Sequence, residues 1–427
     1  MKGIYNMDIL KKIIRAYNSV SLILRITAGI LLGIVLALLF PDLGIELLGD
    51  LFVGALKSIA PILVAVLVIS SLCQNSAKLD RRFLLVIILY LLSTFLAALL
   101  AVGASFLFPQ TIELATETTE QAAPGGIGEV IRNQMMNMIG NPIRSITEAN
   151  YVSILLWSVI LGLALKRVAS DHTKKSLSDL SEAVSLCVRW IINLAPFGIL
   201  GLVYDTVAGK GLEVFASYGK LLLLLVGCML AMVLIVSPAI TAFILRTNPY
   251  PLVFRCLRES GITAFFTRSS AANIPINMQL CEKLGLDRDV YSVSIPLGAT
   301  INMDGAAITI TIMTLAAANT MGVEVSFATA LLLSVVAALA ACGASGVAGG
   351  SLLLIPMACS LFGISSDVAM QVVGVGFIIG VVQDSMETAL NSSGDVLFAA
   401  TAEYYEWKKQ GRPLPDFMQR GKKKYKD

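Results

Sequence analysis

Apolar residues run in long blocks along this chain, and polar residues gather in short gaps between them. The first block extends from about Ser19 to Phe40, behind Lys2, Lys11, Lys12 and Arg15. Others follow at about 46–73, 83–108, 151–165, 184–203 and 217–245. A bilayer-spanning helix takes about 20 apolar residues, so each block predicts one spanning helix or most of one. The first block is too long for a secretory signal core and lacks a small-x-small cleavage site after it. It therefore predicts a first span, with Arg25 near its cytoplasmic end. Gly140, Asn141 and Pro142 interrupt 129–165 and predict a broken span there.

Beyond residue 250 the pattern changes. The run Phe265-Phe266-Thr267-Arg268-Ser269-Ser270-Ala271-Ala272-Asn273-Ile274-Pro275 is small and polar in its middle, and Cys281-Glu282-Lys283 closes it. A second such run, Ala341 to Ser351, carries Gly343, Ser345, Gly346, Val347, Gly349 and Gly350 between apolar arms at about 327–341 and 352–363. Each arm is roughly half a span, which predicts helices that enter halfway, turn and return. Such backbone survives in lipid only if protein buries it or it lines a wet cavity. Each run precedes a span that carries carboxylates: Pro296 to Ala306 holds Asn302 and Asp304, and Gln383 to Asp395 holds Asp384, Glu387, Thr388, Asn391 and Asp395. Hairpin then polar-interrupted span, twice over, points to a transport site near the membrane midplane. For the glycines alone, close helix packing is the competing explanation.

Composition agrees with the pattern. Of 427 residues, 56% are hydrophobic and only 14% charged, against roughly 25% charged in soluble domains. That argues against a soluble enzyme, a disordered chain and a nucleic-acid binder. The seven cysteines are scattered without a CxxC pair and read as small buried hydrophobes. The single histidine, His172, lies in the charged stretch Lys166–Lys175, so a zinc site or a histidine-based triad lacks its raw material. Loop charges alternate: Asp42, Glu46 and Asp50; then Lys78, Arg81 and Arg82; then Glu113, Glu117, Glu120 and Glu129; then Lys166, Arg167, Lys174 and Lys175. A near-neutral loop follows at about 204–216, then Arg246, Arg255 and Arg258, and a tail with eight basic residues from Lys408 onward. Because positive loops stay inside, both termini are expected in the cytoplasm and the number of crossings is expected to be even.

At 100° per residue, Asp384, Glu387, Thr388, Asn391 and Asp395 share about a third of one helix circumference. An ionised group at a span centre costs about 2.5–3.5 kcal/mol, so Asp304, Asp384, Glu387 and Asp395 together cost on the order of 10 kcal/mol before pairing. Carboxylates, amide oxygens, hydroxyls and free carbonyls suit alkali cations rather than soft metals. Asn302, Asp304 and Asp395 are candidate cation ligands, aided by carbonyls where Gly298 and Gly305 loosen the helix. A zwitterion is the other candidate guest, its ammonium on a buried carboxylate and its carboxylate on free N–H groups at the hairpin tips. Three further readings stay open: an intramembrane aspartyl hydrolase pairing Asp304 with Asp395, a channel, and a sodium- or proton-coupled transporter of other neutral amino acids or dicarboxylates.

Arg268-Ser269-Ser270-Ala271-Ala272-Asn273-Ile274-Pro275, Gly298-Ala299-Thr300-Ile301-Asn302-Met303-Asp304-Gly305 and Asp384 with Asn391-Ser392-Ser393-Gly394-Asp395 resemble the dicarboxylate/amino acid:cation symporter family, the glutamate-transporter fold. The resemblance covers essentially the whole chain and is nearest to the family's bacterial sodium-coupled members for serine and threonine. It implies an all-α polytopic membrane protein of the bacterial cytoplasmic membrane, with eight transmembrane helices, two re-entrant hairpins, inverted repeats and a homotrimeric assembly. It implies scaffold spans at about 16–75 and 129–205, transport-domain spans at about 83–108, 217–246 and 252–400 that move against them, and a basic tail over 401–427. Asp384 would take the substrate ammonium and Asn391 the substrate backbone. Ser269, Ser270, Gly346 and Val347 would lie at the substrate carboxylate. Gly298, Asn302 and Asp395 would hold one sodium ion; Tyr90, Ser93, Thr94, Asn302 and Asp304 another; Thr300 is a further candidate ligand. Members that carry acidic amino acids place an arginine where this chain has Glu387. An anion there repels an acidic side chain, so Glu387 and Thr388 are expected to favour a small neutral hydroxyl substrate, serine or threonine. Arg268 is the expected counter-charge of Glu387 or Asp384. The second hairpin carries Ala348 where the family usually has proline.

Overall fold

The computed structural model describes residues 17, 19–74, 81–114, 139–342, 344 and 349–419, and every regular element among them is helical. The order begins with α1 (Leu22–Leu39), α2 (Leu47–Gln74), α3 (Arg81–Leu107), α4 (Tyr151–Val168), α5 (Asp171–Asn193) and α6 (Ala195–Lys210). Then come α7 (Val214–Ala231), α8 (Tyr250–Cys256), α9 (Ser270–Lys283), α10 (Arg288–Ile301), α11 (Asp304–Thr320), α12 (Phe327–Ala341), α13 (Ile355–Ser360) and α14 (Ser366–Lys409). Among the described residues, five helices are long and apolar enough to cross a membrane: Leu47–Ser70, Arg81–Leu107, Val214–Leu245, Arg288–Thr320 and Ser366–Lys409. Leu31, Leu32, Val35, Leu38 and Leu39 stand exposed along α1, an apolar face that lipid rather than water would accommodate.

The single span expected over 184–203 is instead two helices, bent by 52° between α5 and α6. Pro196 explains the bend, because it lacks the N–H that would continue the ladder and clashes with the turn before it. The break expected near Gly140–Pro142 is present: Asn141 caps a short helix, Pro142–Thr147, by accepting from the Ile143 and Arg144 N–H groups, and α4 starts afresh. Two π-helical turns, Met232–Val236 after α7 and Leu257–Gly261 after α8, widen helices that otherwise run on through Ser237–Leu245 and Ile262–Thr267. Pro238 follows the first, as expected where an N–H is missing from the ladder.

α1 packs on α6, and α2 packs on α4, α5 and α6. α3, α10, α11 and the segments around α8 and α9 gather on α14. α11 is buried on every face from Asp304 to Ala318, so it runs through the middle of the helices rather than along their surface. The segment Tyr250–Thr267 ends at Arg268, and α9 turns back to pack against it. The arms expected at about 327–341 and 352–363 correspond to α12 and to the 3-10 turn Leu352–Leu354 with α13. Gly346 and Val347 lie outside the described residues.

Arg82, at the start of α3, donates to Asp287 Oδ2 at 2.8 Å and to Glu403 Oε1 at 3.2 Å, tying α3 and the cap of α10 to the last turns of α14. Asp287 lies outside the spanning segments, and the Arg82 hydrogen bond holds its carboxyl below the usual carboxylate range. A depressed folded value means that the contribution is intact at neutral pH and is lost as the pH falls through that value. Asp287→Asn is therefore expected to lower the melting temperature slightly at pH 7, in keeping with a half-exposed pair. The gap between the two melting curves should begin to narrow near pH 4, about the unfolded carboxyl's value, and close only below the depressed folded value. A gap between parent and variant that persisted in acid would rule this out.

Candidate functional site

The site forms where α14 crosses the break between α10 and α11. Asn302 and Met303 leave helical geometry there, so nearby carbonyls and N–H groups are free to face inward. Gly305 N–H donates to Asn391 Oδ1 at 2.7 Å. Asn302 Nδ2 donates to the Asn391 carbonyl at 3.0 Å and to Asp395 Oδ1 at 3.0 Å. Asn302 Oδ1 and Asp395 Oδ2 are buried and accept no hydrogen bond from any described residue. Two orphaned oxygens, one of them on a carboxylate, are what a small hard cation would satisfy. A Cβ at Gly298 would come within 2.7 Å of Asp395 Oδ1 and 3.0 Å of Tyr90 Cζ. Only glycine lets α10 approach that closely.

On the α3 side, Ser93 Oγ donates to Asp304 Oδ2 at 2.5 Å, and Thr94 Oγ1 lies 3.2 Å from Asp304 Oδ1. Thr94 Oγ1 also accepts from Met303 N–H at 3.2 Å. The Tyr90 hydroxyl donates to the Asp395 carbonyl at 2.9 Å. Asp304 is wholly buried, so the Ser93 hydroxyl replaces water that the carboxylate has lost, while Thr94 Oγ1 is also 2.9 Å from the Tyr90 carbonyl, to which it can donate instead. Thr300 turns away, its hydroxyl donating to the Leu297 carbonyl at 2.7 Å.

Towards the turn at Arg268 and the connection between α12 and α13, Asp384 accepts from Arg268 Nε at 2.6 Å on Oδ2 and from Gly349 N–H at 3.1 Å on Oδ1. Of the two alternative partners expected for Arg268, Glu387 or Asp384, its ion pair is with Asp384. Arg268 adopts a left-handed φ of 51° at the end of Ile262–Thr267, a strained state for a residue with a Cβ. Ser269 caps α9 by accepting from Ala272 N–H, and Ser270 is buried behind it. The Thr388 hydroxyl donates to the Asp384 carbonyl at 2.8 Å. The Asn391 amide also meets Met303 Sδ at 3.3 Å, so this side chain faces the helix break.

Glu387 has partners that the sequence reading did not single out. Its Oε2 accepts from Gln383 Nε2 at 2.6 Å, Thr309 Oγ1 at 2.8 Å and Ser351 Oγ at 2.8 Å. Gln383 lies four residues before Glu387 on the same helix face, a spacing that could have flagged it. Thr309 and Ser351 carry no such local signal.

The family model for the sodium:dicarboxylate symporter family matches residues 22–404. A relative from Bifidobacterium adolescentis, named serine/threonine transporter SstT, is 62% identical over 411 residues, covering 96% of each chain. Serine/threonine transporter SstT of Streptococcus thermophilus is 58% identical over 402 residues, covering 94% of this chain and 100% of the relative. The protein of the same name from Streptococcus agalactiae is 58% identical over 396 residues, covering 92% and 98%. With buried carboxylates arrayed on helices fit for a bilayer and likeness extending over nearly its whole length, the chain belongs to the sodium:dicarboxylate symporter family.

Proposed function

We propose that this protein is a sodium-coupled symporter that brings serine and threonine into the bacterial cell. Membership of a symporter family, with relatives named transporters, makes it a multi-pass membrane transporter and not an enzyme. One observation carries the choice of substrate. Asp384 and Glu387 stand one helical turn apart, and Gly349 and Ser351 of the second hairpin reach across to them. An amino acid lying there puts its ammonium on Asp384 and its hydroxyl near Glu387, while an acidic side chain meets an anion instead of an arginine. Relatives at 58–62% identity that are named serine/threonine transporters support the same substrates.

Sodium fills the orphaned pair Asn302 Oδ1 and Asp395 Oδ2 beside Gly298, and a second ion sits near Tyr90, Ser93, Thr94 and Asp304. Ser269, Ser270, Gly346 and Val347 border the substrate carboxylate. Asn391 lies between cargo and cation, since its carbonyl and side chain are tied to Asn302 and Gly305. Filling one site then orders the other, which is how coupling arises. Around this centre we infer eight spans and two re-entrant hairpins, and a moving domain that slides past a scaffold in a homotrimer. We also infer a cytoplasmic-membrane location with both termini inside. The test is labelled serine uptake into proteoliposomes under an imposed sodium gradient or an imposed pH gradient, with threonine, alanine, aspartate and glutamate as competitors. Sodium-driven uptake blocked by threonine and untouched by glutamate is expected; uptake driven by the pH gradient alone would refute sodium coupling.

Glu387→Arg is expected to weaken serine and to admit acidic substrates, because a guanidinium offers a bidentate partner to a carboxylate. Unchanged serine preference after that exchange would remove Glu387 from the selectivity argument.

A further inference from the structure

We propose that Gln383, Thr309 and Ser351 are positioning residues that hold the Glu387 carboxylate so that it presents a single oxygen, Oε1, to the substrate hydroxyl. The proposal rests on the serine/threonine reading above and extends it to residues that touch neither cargo nor cation.

The three donors converge on one atom. Gln383 Nε2 donates to Glu387 Oε2 at 2.6 Å and to Thr309 Oγ1 at 2.7 Å, and Thr309 Oγ1 donates onward to the same Oε2 at 2.8 Å, closing a ring. Ser351 Oγ adds a third donor at 2.8 Å. Glu387 Oε1 accepts no hydrogen bond from any described residue. Donors that only replaced lost water would serve both oxygens. Here all serve one, and they arrive from α11, from α14 and from the second hairpin. Gly305 backs the arrangement, since a Cβ there would stand 2.8 Å from Glu387 Cα. A glutamate side chain has wide rotamer freedom, and fixing it beforehand removes that ordering cost from binding.

The geometry suits a β-hydroxyl amino acid. Side chains three apart on a helix hold their Cβ atoms about 5–6 Å from one another. The amino and hydroxyl groups of serine, on adjacent carbons, bridge such a gap with one hydrogen bond at each end. Alanine leaves Oε1 facing a methyl group, so it keeps the ammonium and carboxylate contacts but binds more weakly than serine by the hydroxyl contact it lacks.

The experiment uses the full-length protein in proteoliposomes under a sodium gradient. It measures half-saturation by serine and half-inhibition by alanine for the parent, Thr309→Val, Ser351→Ala, Gln383→Met and the conservative Thr309→Ser. Each of the first three should raise the serine value about tenfold, the effect of one weakened charge-assisted hydrogen bond. Alanine should stay within about twofold and Vmax should stay near the parent's. Thr309→Ser should behave as the parent. Retained alanine binding certifies a folded transporter, and three variants on three elements keep the test alive if one misfolds. Serine and alanine values that rise together, or that stay still together, overturn the positioning role while leaving the transport assignment standing. A parent that takes up no serine with sodium overturns both.

Discussion

Serine uptake should fall to background when Asp384 is replaced by alanine. Two losses combine. The carboxylate proposed to hold the substrate ammonium disappears, and with it the only negative partner, among the described residues, of a buried guanidinium. Arg268 Nε lies 2.6 Å from Asp384 Oδ2, and Arg268 Nη1 is already buried without a hydrogen bond. Stripping a buried charge of its partner costs about 3–5 kcal/mol. The turn between Ile262–Thr267 and α9, where Arg268 holds its left-handed backbone, should therefore loosen as well. Asp384→Ala combined with Arg268→Ala separates the two effects. It should regain protein stability, because no bare cation remains, and should still transport nothing. Sodium-driven uptake by either variant above about a tenth of the parent's, measured in proteoliposomes, would sink the assignment of Asp384.

Asp395→Asn should raise the sodium concentration needed for half-maximal uptake on the order of a hundredfold, equivalent to about 2.7 kcal/mol. Asp395 brings a formal charge, one oxygen already used by Asn302 at 3.0 Å, and one oxygen with no partner. An amide at this position keeps the shape and removes the charge. It also sets a neutral group against Asn302, so the loss falls on cation affinity more than on packing. Serine half-saturation at very high sodium should recover towards the parent value. A variant whose sodium dependence matched the parent's would show that the ion sits elsewhere.

Much of this architecture can be read from residue order, for identifiable reasons. Apolar block lengths mark the spans, because bilayer thickness leaves few alternatives. The hairpin arms stand out because small polar residues interrupt apolar runs near Arg268 and Gly346, and the carboxylates because a charge in a span needs a purpose. The bend at Pro196 within 184–203 does not show in the apolar pattern, since hydropathy is blind to a single absent N–H. The π-helical turns at Met232–Val236 and Leu257–Gly261 carry no compositional mark at all. Within the site, Asp384, Glu387 and Asp395 announce themselves by their cost, and Tyr90, Ser93 and Thr94 by a family pattern. Thr309 and Ser351 do not. They reach Glu387 from 78 and 36 residues away in the chain, and hydroxyls in apolar helices more often bond their own backbone. Arg82, which meets Glu403 across 321 residues, is hidden for the same reason.

α14 runs unbroken for 44 residues, about 66 Å at the ordinary helical rise and roughly twice the depth of a hydrocarbon core. Asp384 to Glu403 occupies about 28 Å of it. The groups proposed to seize the passenger and the groups clamped by Arg82 are thus points on a single stiff rod. Displacement of one end is felt at the other without any relay of intermediate rearrangements, and if the proposed site moves its cargo, a reporter dye fixed near Lys409 would register that journey.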